Sequence, residues 1–243
     1  MPHTSKKYKK SATAKGSSNR MTYIVIAVVV IIIVAAASFY AYSTFLSTTT
    51  HIATTTSLGG NTTGQYYAVI NTTQGVMEAQ MFHSVAPKTV INFVNLANSG
   101  FYNNLVWHRI VKGFVIQTGD PNTKNGGGNP ANWGQGGSGT TVPLETNSTV
   151  VSEGYVNNEG YLAMARGSDP NSGSSQFFIN LADNSALNGQ YTVFGKIISG
   201  MNVALAIGNL PVSTQCQSSG QLQCTPTNPS QAMVISITIK DSP

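Results

Sequence analysis

Twelve residues, Val106-Trp107-His108-Arg109-Ile110-Val111-Lys112-Gly113-Phe114-Val115-Ile116-Gln117, leave the chain few choices. Two apolar, β-prone runs flank a tight turn at Val111-Lys112-Gly113, where glycine supplies the dihedrals that such turns need, and the pattern predicts a hairpin. A turn centred near Gly113 sets Arg109 opposite Gln117. Alternation along a strand then puts Val115 on their face. An arginine and a glutamine paired on an otherwise apolar hairpin either face water at a sheet edge or belong to a site.

A second stretch favours a site. In Gly160–Leu181 (GYLAMARGSDPNSGSSQFFINL), Tyr161–Ala165 and Ser175–Leu181 read as strands separated by a turn-rich segment, Gly167–Gly173. Alternation puts Gln176 and Phe178 on one face and Phe177 and Ile179 on the other. Two adjacent phenylalanines cannot share one core, so one of them lines something else, unless the strand is buried on both faces.

The remaining elements are shorter signals. Tyr66–Ile70 and Val76–Phe82 predict a hairpin joined through Asn71–Gly75. Pro87 opens a helix in which Val90, Phe93, Val94 and Ala97 hold helical spacing, and Gly100 stops it. Seven of the fifteen residues from Asn125 to Gly139 are glycine. Without G-K-[ST] or a following helix pattern this is an extended surface loop rather than a phosphate cradle, with Trp133 packing down as a clamp.

Charge divides the chain. Of thirteen lysines and arginines, six lie in residues 1–20, leaving seven against eight acids and a balance of −1 for the rest. The folded part therefore has no nucleic-acid footprint. Tyr23–Leu46 is 24 residues without a charge. As a helix it would span roughly 36 Å, enough for a hydrocarbon core of about 30 Å. The expected organisation is a basic cytoplasmic tail (1–21), a single-pass transmembrane anchor (22–46), a Ser/Thr-rich linker (47–64) and a folded domain (65–243) outside the cytoplasm. A cleaved signal peptide, with Ala35-Ala36-Ala37 as its site, competes with the anchor. Asn61, Asn71 and Asn147 begin glycosylation-type tripeptides, a short pattern often met by chance. Cys216 and Cys224, the only cysteines, close one short loop, and outside the cytoplasm the expectation is a disulfide, placed away from the Arg109 pocket. His51, His83 and His108 have no metal-ligand spacing, and His108 reads as structural.

The segments WHRIVKGFVIQTGDP, LAMARGSDPNSGSSQFFINL and LNGQYTVFGKII, in this order, closely resemble the cyclophilin family of peptidyl-prolyl cis-trans isomerases over residues 65–241. The resemblance includes a helix at Met201–Ile207 and a last strand at Met233–Ile239. It implies a mainly β fold, a closed eight-stranded antiparallel barrel capped by two α-helices, here preceded by one transmembrane helix. It implies isomerisation of X-Pro bonds in exported or surface proteins. A non-catalytic barrel serving as a binding module or holdase at the cell surface is the alternative.

The resemblance also assigns roles. Arg109 is the catalytic arginine, with Gln117 and Gln176 orienting it and the substrate backbone. Phe114, Val115, Phe178, Leu187 and Tyr191 line the proline pocket, Ala165 and Gly167 leave room for the substrate, and the backbone of Arg166 bonds the peptide. No cofactor or metal is required, and the partners are proline-containing polypeptides and, through the anchor, a membrane. Three departures stand out. Val115 replaces the usual methionine, Tyr191 replaces a histidine common in eukaryotic members, and Ala186 replaces a tryptophan that contacts cyclosporin. Weak cyclosporin binding follows from the last.

Overall fold

The structure is a computed structural model and describes residues 64–213 and 224–243. Nine strands form one sheet: β1 (Tyr66–Thr72), β2 (Gly75–Met81), β3 (Leu105–Val106), β4 (Arg109–Val111), β5 (Val115–Thr118), β6 (Tyr161–Met164), β7 (Phe177–Asn180), β8 (Val193–Ser199) and β9 (Met233–Lys240). Among the described residues three α-helices accompany them: α1 (Pro87–Asn98), α2 (Ser148–Ser152) and α3 (Met201–Gly208). The strand order is β3-β9-β1-β2-β8-β6-β7-β5-β4, with every pairing antiparallel.

The sheet is curled but its ladder is open, a half-barrel in place of the expected closed eight-stranded barrel. The reason lies in the opening hairpin. Its first run is not one strand: the chain leaves β3, where it pairs with β9, and enters β4, where it pairs with β5. Trp107 and His108 lie between, both buried, so strict in–out alternation is lost there. Thus β3 and β4 become the two ends of the sheet, and no ladder joins them. The transmembrane helix expected over 22–46 lies outside the described residues. Among those residues, no helix is long and apolar enough to cross a membrane.

Within the sheet the local expectations hold. β4 and β5 pair Arg109 with Gln117, Ile110 with Ile116 and Val111 with Val115, and Gly113 takes φ +68° in the turn. β1 and β2 run further than expected, to Thr72 and from Gly75, because the Thr72 hydroxyl closes the turn. It donates to the Gly75 carbonyl (2.7 Å) and accepts from the Gln74 N–H (3.1 Å).

α1 buries Val90, Phe93, Val94 and Ala97. Phe93 meets Tyr102, Phe177 and Phe194 at ring separations of 5.3, 5.4 and 5.4 Å, a fully buried aromatic centre for the main core. The start of α1 is capped from a distance. The Glu145 carboxylate accepts the N–H groups of Lys88 (3.0 Å) and Thr89 (2.8 Å) and the Thr89 hydroxyl (2.7 Å), satisfying orphan donors at the positive end of the helix dipole. Asn147, which the sequence marks only as a glycosylation-type residue, caps α2 by accepting the Val150 N–H (3.0 Å).

The glycine-rich loop differs from the extended surface loop expected. It folds into 3₁₀ segments, Pro121–Gly126, kinked at Lys124 and Asn125, and Pro130–Asn132, beside the buried Asp120 carboxylate. That carboxylate accepts the N–H groups of Asn122 (2.8 Å) and Gly134. A side chain at Gly136 would collide with it, since a Cβ there would stand 2.2 Å from Asp120 Oδ1. Trp133 packs inward, as expected, and its indole N–H donates to the Gly127 carbonyl (3.1 Å).

Candidate functional site

Phe177 and Phe178 sit side by side on β7 and serve different interiors. Phe177 belongs to the main core. Phe178 joins Val115, Ala163 and Val193 in a second, smaller apolar cluster, against which Phe114, Ala165, Leu187 and Tyr191 pack. This second cluster forms the wall of an open cavity of about 360 Å³, lined by Arg109, Phe114, Val115, Gln117, Ala165, Arg166, Phe178, Leu187 and Tyr191. Nine of the residues singled out from the sequence are thereby brought to one hollow.

A relay of amides aims the arginine. Gln176 Nε2 donates to the carbonyls of Gly134 (3.0 Å) and Gly136 (2.7 Å) on the folded loop. That leaves Gln176 Oε1 to accept from Gln117 Nε2 (2.9 Å). Gln117 Oε1 in turn accepts from Arg109 Nη1 (3.4 Å). Each amide is oriented by the one behind it, and the loop carbonyls fix the sense of the whole chain. The guanidinium carbon also lies 5.8 Å from the centre of the Phe114 ring. Partial burial lowers the Arg109 pKa, and Tyr191 opposes that shift. An arginine stays charged under such a shift, so a cation faces the apolar hollow with reduced access to water.

The other expected residues are placed as follows. Tyr191 stacks edge-on against Phe178 at 5.4 Å and lies under the Arg166 guanidinium at 5.2 Å. Among the described residues the Arg166 backbone N–H and C=O have no partner, which leaves them available to an extended peptide. Gly167 and Gln176 line an adjoining cavity rather than the first one. Ala186 is exposed, one residue before Leu187, and adds nothing to the rim beyond a methyl group.

Cys216 lies outside the described residues. Cys224 is buried, and no described cysteine is free. Its position corrects the expectation that this loop is remote from Arg109. The Cys224 carbonyl accepts the Ile110 N–H (2.8 Å), so the segment covers the outer edge of β4, next to Arg109.

His108 lies buried next to Arg109. Only 3% exposed, it lines a small cavity of about 60 Å³ with Arg109, Gln117, Trp133, Gly134 and Thr225. Burial pushes its pKa down to about 4, and Arg109 adds to that; Asp120, the Val106 backbone and Gln176 pull the other way. Those last two lie close enough to influence the ring but not in hydrogen-bonding geometry, since neither ring nitrogen has a bonded partner. In the unfolded chain the imidazole regains an ordinary pKa near 6.5. Between about 6.5 and about 4, unfolding therefore takes up a proton, and stability falls as pH drops through that window. Urea unfolding at pH 7 and pH 4.5 should show this loss, and His108→Gln should flatten it. An equal pH slope in both proteins would contradict the assignment.

Asp120 and Glu145 belong to no motif that singles them out in the sequence. Asp120 stands before Pro121 in a turn, a local cue for a capping carboxylate. Glu145 has no local cue, because its partners are 56 and 57 residues away.

Comparison with known proteins agrees with the geometry. A family model described as cyclophilin type peptidyl-prolyl cis-trans isomerase/CLD matches residues 67–231. A peptidyl-prolyl cis-trans isomerase of Acinetobacter baylyi is 38% identical over 176 residues, covering 70% of this chain and 84% of that protein. Peptidyl-prolyl cis-trans isomerase A of Dickeya dadantii is 36% identical over 172 residues, covering 69% and 82%. A crystal structure of a Cryptosporidium parvum cyclophilin type peptidyl-prolyl cis-trans isomerase superposes with TM-score 0.60 at 30% identity, covering 74% of this chain and 99% of that one. A second crystal structure of that protein, in the presence of the dipeptide Ala-Pro, gives TM-score 0.58 at 31% identity, covering 72% and 98%.

Proposed function

From the premise that this chain belongs to the cyclophilin-type peptidyl-prolyl cis-trans isomerases, we propose that Arg109 drives rotation about an X-Pro bond whose proline ring sits against Phe114, Val115, Phe178 and Leu187. An amide resists rotation because nitrogen shares its lone pair with the carbonyl, giving a barrier of about 18–20 kcal/mol. In the twisted state that sharing is lost and the prolyl nitrogen becomes a hydrogen-bond acceptor. A guanidinium held at the pocket mouth binds that state better than either planar form, which is the condition for catalysis. A millionfold acceleration needs about 8 kcal/mol. The apolar wall fixes the ring while the remaining peptide turns, and the unpaired Arg166 backbone groups hold the flanking chain.

The observation that carries this reading is the amide relay from the loop carbonyls through Gln176 and Gln117 to Arg109. It holds the cation in place before substrate arrives, and so supports catalysis over a passive peptide-binding surface. A protease-coupled assay on the purified chain tests it. Accelerated cis-to-trans conversion of a short X-Pro peptide is expected, and an inert but folded chain would favour the binding-module alternative. The Ala-Pro dipeptide used with the Cryptosporidium parvum protein is a natural probe for the same pocket here.

The proposal extends to location. The uncharged run from Tyr23 to Leu46, with six basic residues before it, supports a domain held at a membrane through segment 22–46 and facing away from the cytoplasm, with exported proteins as clients. Weak cyclosporin inhibition belongs to the same proposal and rests on Ala186.

A Cys216–Cys224 disulfide fits an oxidising location. Closing so short a loop stabilises by only about 2–3 kcal/mol. Because the Cys224 carbonyl holds the Ile110 N–H, loosening the loop also loosens the strand that carries Arg109. Reductant should therefore lower the melting temperature by a few degrees and reduce turnover as well. Alkylation of both cysteines in protein taken directly from its native source, detected by mass spectrometry, would reject the bond.

A further inference from the structure

Alternation along β7 puts Asn180 on the same face as Phe178, with Gln176 preceding them on that face. On the neighbouring strand Gln117 pairs with Phe178 and Val115 with Asn180. Gln176 belongs to the relay that aims Arg109. Asn180, fully buried beyond the other side of Phe178, belongs to a second relay.

The sense of the Asn180 amide is fixed from behind. Its Nδ2 donates to the Tyr161 carbonyl (3.0 Å) and to Asn157 Oδ1 (3.3 Å), which leaves its Oδ1 to accept from Asn184 Nδ2 (2.8 Å). Asn184 Nδ2 also donates to the Phe114 carbonyl (3.0 Å). Asn157 is itself fully buried, and its backbone N–H donates to Asn188 Oδ1 (2.8 Å).

Asn184 departs from the habit of this chain. Asp120, Asn129, Asn147 and Asn228 each stand before a short helical turn and cap it, a side-chain oxygen accepting an N–H of that turn. Asn184 stands in the same place before the 3₁₀ turn Ser185–Leu187 and makes no such bond. Its side chain reaches back to β7 and to the β4–β5 turn instead, while its backbone carbonyl accepts the Leu187 N–H (2.9 Å). One residue thus grips Phe114 through its side chain and Leu187 through its main chain, and both line the proline pocket. Neither lies within a strand, so no ladder fixes their separation. The Leu181 N–H shares the Phe114 carbonyl (2.8 Å), which keeps the turn in place if Asn184 lets go.

We infer that Asn184 is a positioning residue that sets the width of the proline pocket, holding Phe114 and Leu187 to the buried Asn180 so that the pocket fits a five-membered ring better than a larger one. The inference rests on the isomerase reading of that pocket. An apolar pocket rejects one extra methylene only if its walls cannot part, and the discrimination is then about 10- to 200-fold.

The test uses the full chain and two peptides that differ by one ring carbon, one with proline and one with pipecolate, its six-membered homologue. Rates are read by exchange spectroscopy, which needs no coupling protease. Wild-type kcat/KM for the proline peptide should exceed that for the pipecolate peptide by about tenfold or more. Asn184→Ala should lower the proline value by about two- to tenfold, the range for one neutral hydrogen bond. The pipecolate value should hold nearly constant, because a wider pocket admits the larger ring, so the ratio shrinks. Asn184→Asp keeps the shape and loses the donors, and should shrink the ratio at least as far. A merely structural role would lower the folded fraction and both rates together, and leave the ratio unmoved.

A wild-type ratio near one, or a ratio that either variant keeps, would overturn the inference. Should neither variant fold, the wild-type side chain decides. Its Nδ2 protons should exchange slowly with water, and more slowly with the proline peptide bound, whereas fast exchange that the peptide does not alter would overturn it. No wild-type turnover of the proline peptide would instead overturn the isomerase reading, and this inference with it.

Discussion

Arg109→Ala should lose about 100- to 1000-fold in kcat/KM on a short X-Pro peptide while the domain stays folded, the range found when one donor to a transition state is removed. The argument has two parts. Arg109 is only partly buried, on a hairpin whose register other residues fix, so truncation leaves the hairpin intact. Ile110 and Ile116, the next pair on the same hairpin, are buried and hold the register without it. The cation's contribution is made in the twisted state, where the prolyl nitrogen has a lone pair to offer. The loss should therefore fall on kcat more than on KM. Matching circular dichroism and melting curves, with activity measured on the same sample, check it. A folded variant with full activity would remove Arg109 from the mechanism.

The second large effect separates two neighbours. Phe177→Ala should destabilise the domain by about 3–5 kcal/mol, because a fully buried ring at the aromatic centre leaves a cavity that α1 and β8 cannot fill. Phe178→Ala opens a wall that already faces the substrate hollow. Its main cost should be in activity: losing about 1.5–3 kcal/mol of proline-ring burial corresponds to about 10- to 100-fold in kcat/KM. Denaturant unfolding and peptide turnover on both variants make the comparison. If Phe178→Ala proved as unstable as Phe177→Ala, and Phe177→Ala as inactive as Phe178→Ala at equal folded fraction, the division into two interiors would be wrong.

That division was legible in the sequence because strand alternation is strictly local. Two phenylalanines in a row must point to opposite faces whatever the rest of the chain does. The pairing of Arg109 with Gln117 was legible for the same reason, since Lys112-Gly113 fixes the turn and the turn fixes the register. What could not be read was decided at long range. The break at Trp107-His108 comes from β3 and β4 finding different partner strands, β9 and β5, and the run of apolar residues through it looks continuous. The open ladder follows from that break, so a closed barrel was the natural but mistaken expectation. Glu145 reaching α1 and the Asp120 carboxylate organising the glycine-rich loop are further examples. Glu145 meets donors 56 and 57 residues away, and Asp120 adds to its local capping of Asn122 the more distant N–H of Gly134. The loop matters to the site, since its carbonyls orient Gln176 and, through it, Gln117 and Arg109. Read from composition alone, it was only a surface excursion.

The central claim is that the hollow lined by Arg109, Phe114, Val115 and Phe178 turns an X-Pro bond over rather than merely holding it. Exchange spectroscopy on an isotope-labelled X-Pro peptide, with a small fraction of the purified chain present, reports binding and interconversion separately. The account predicts cis–trans exchange cross-peaks within a mixing time of a second or less, whereas the free peptide takes tens to hundreds of seconds. Shifted and broadened peptide signals that show binding, with no exchange between the cis and trans forms, would contradict it.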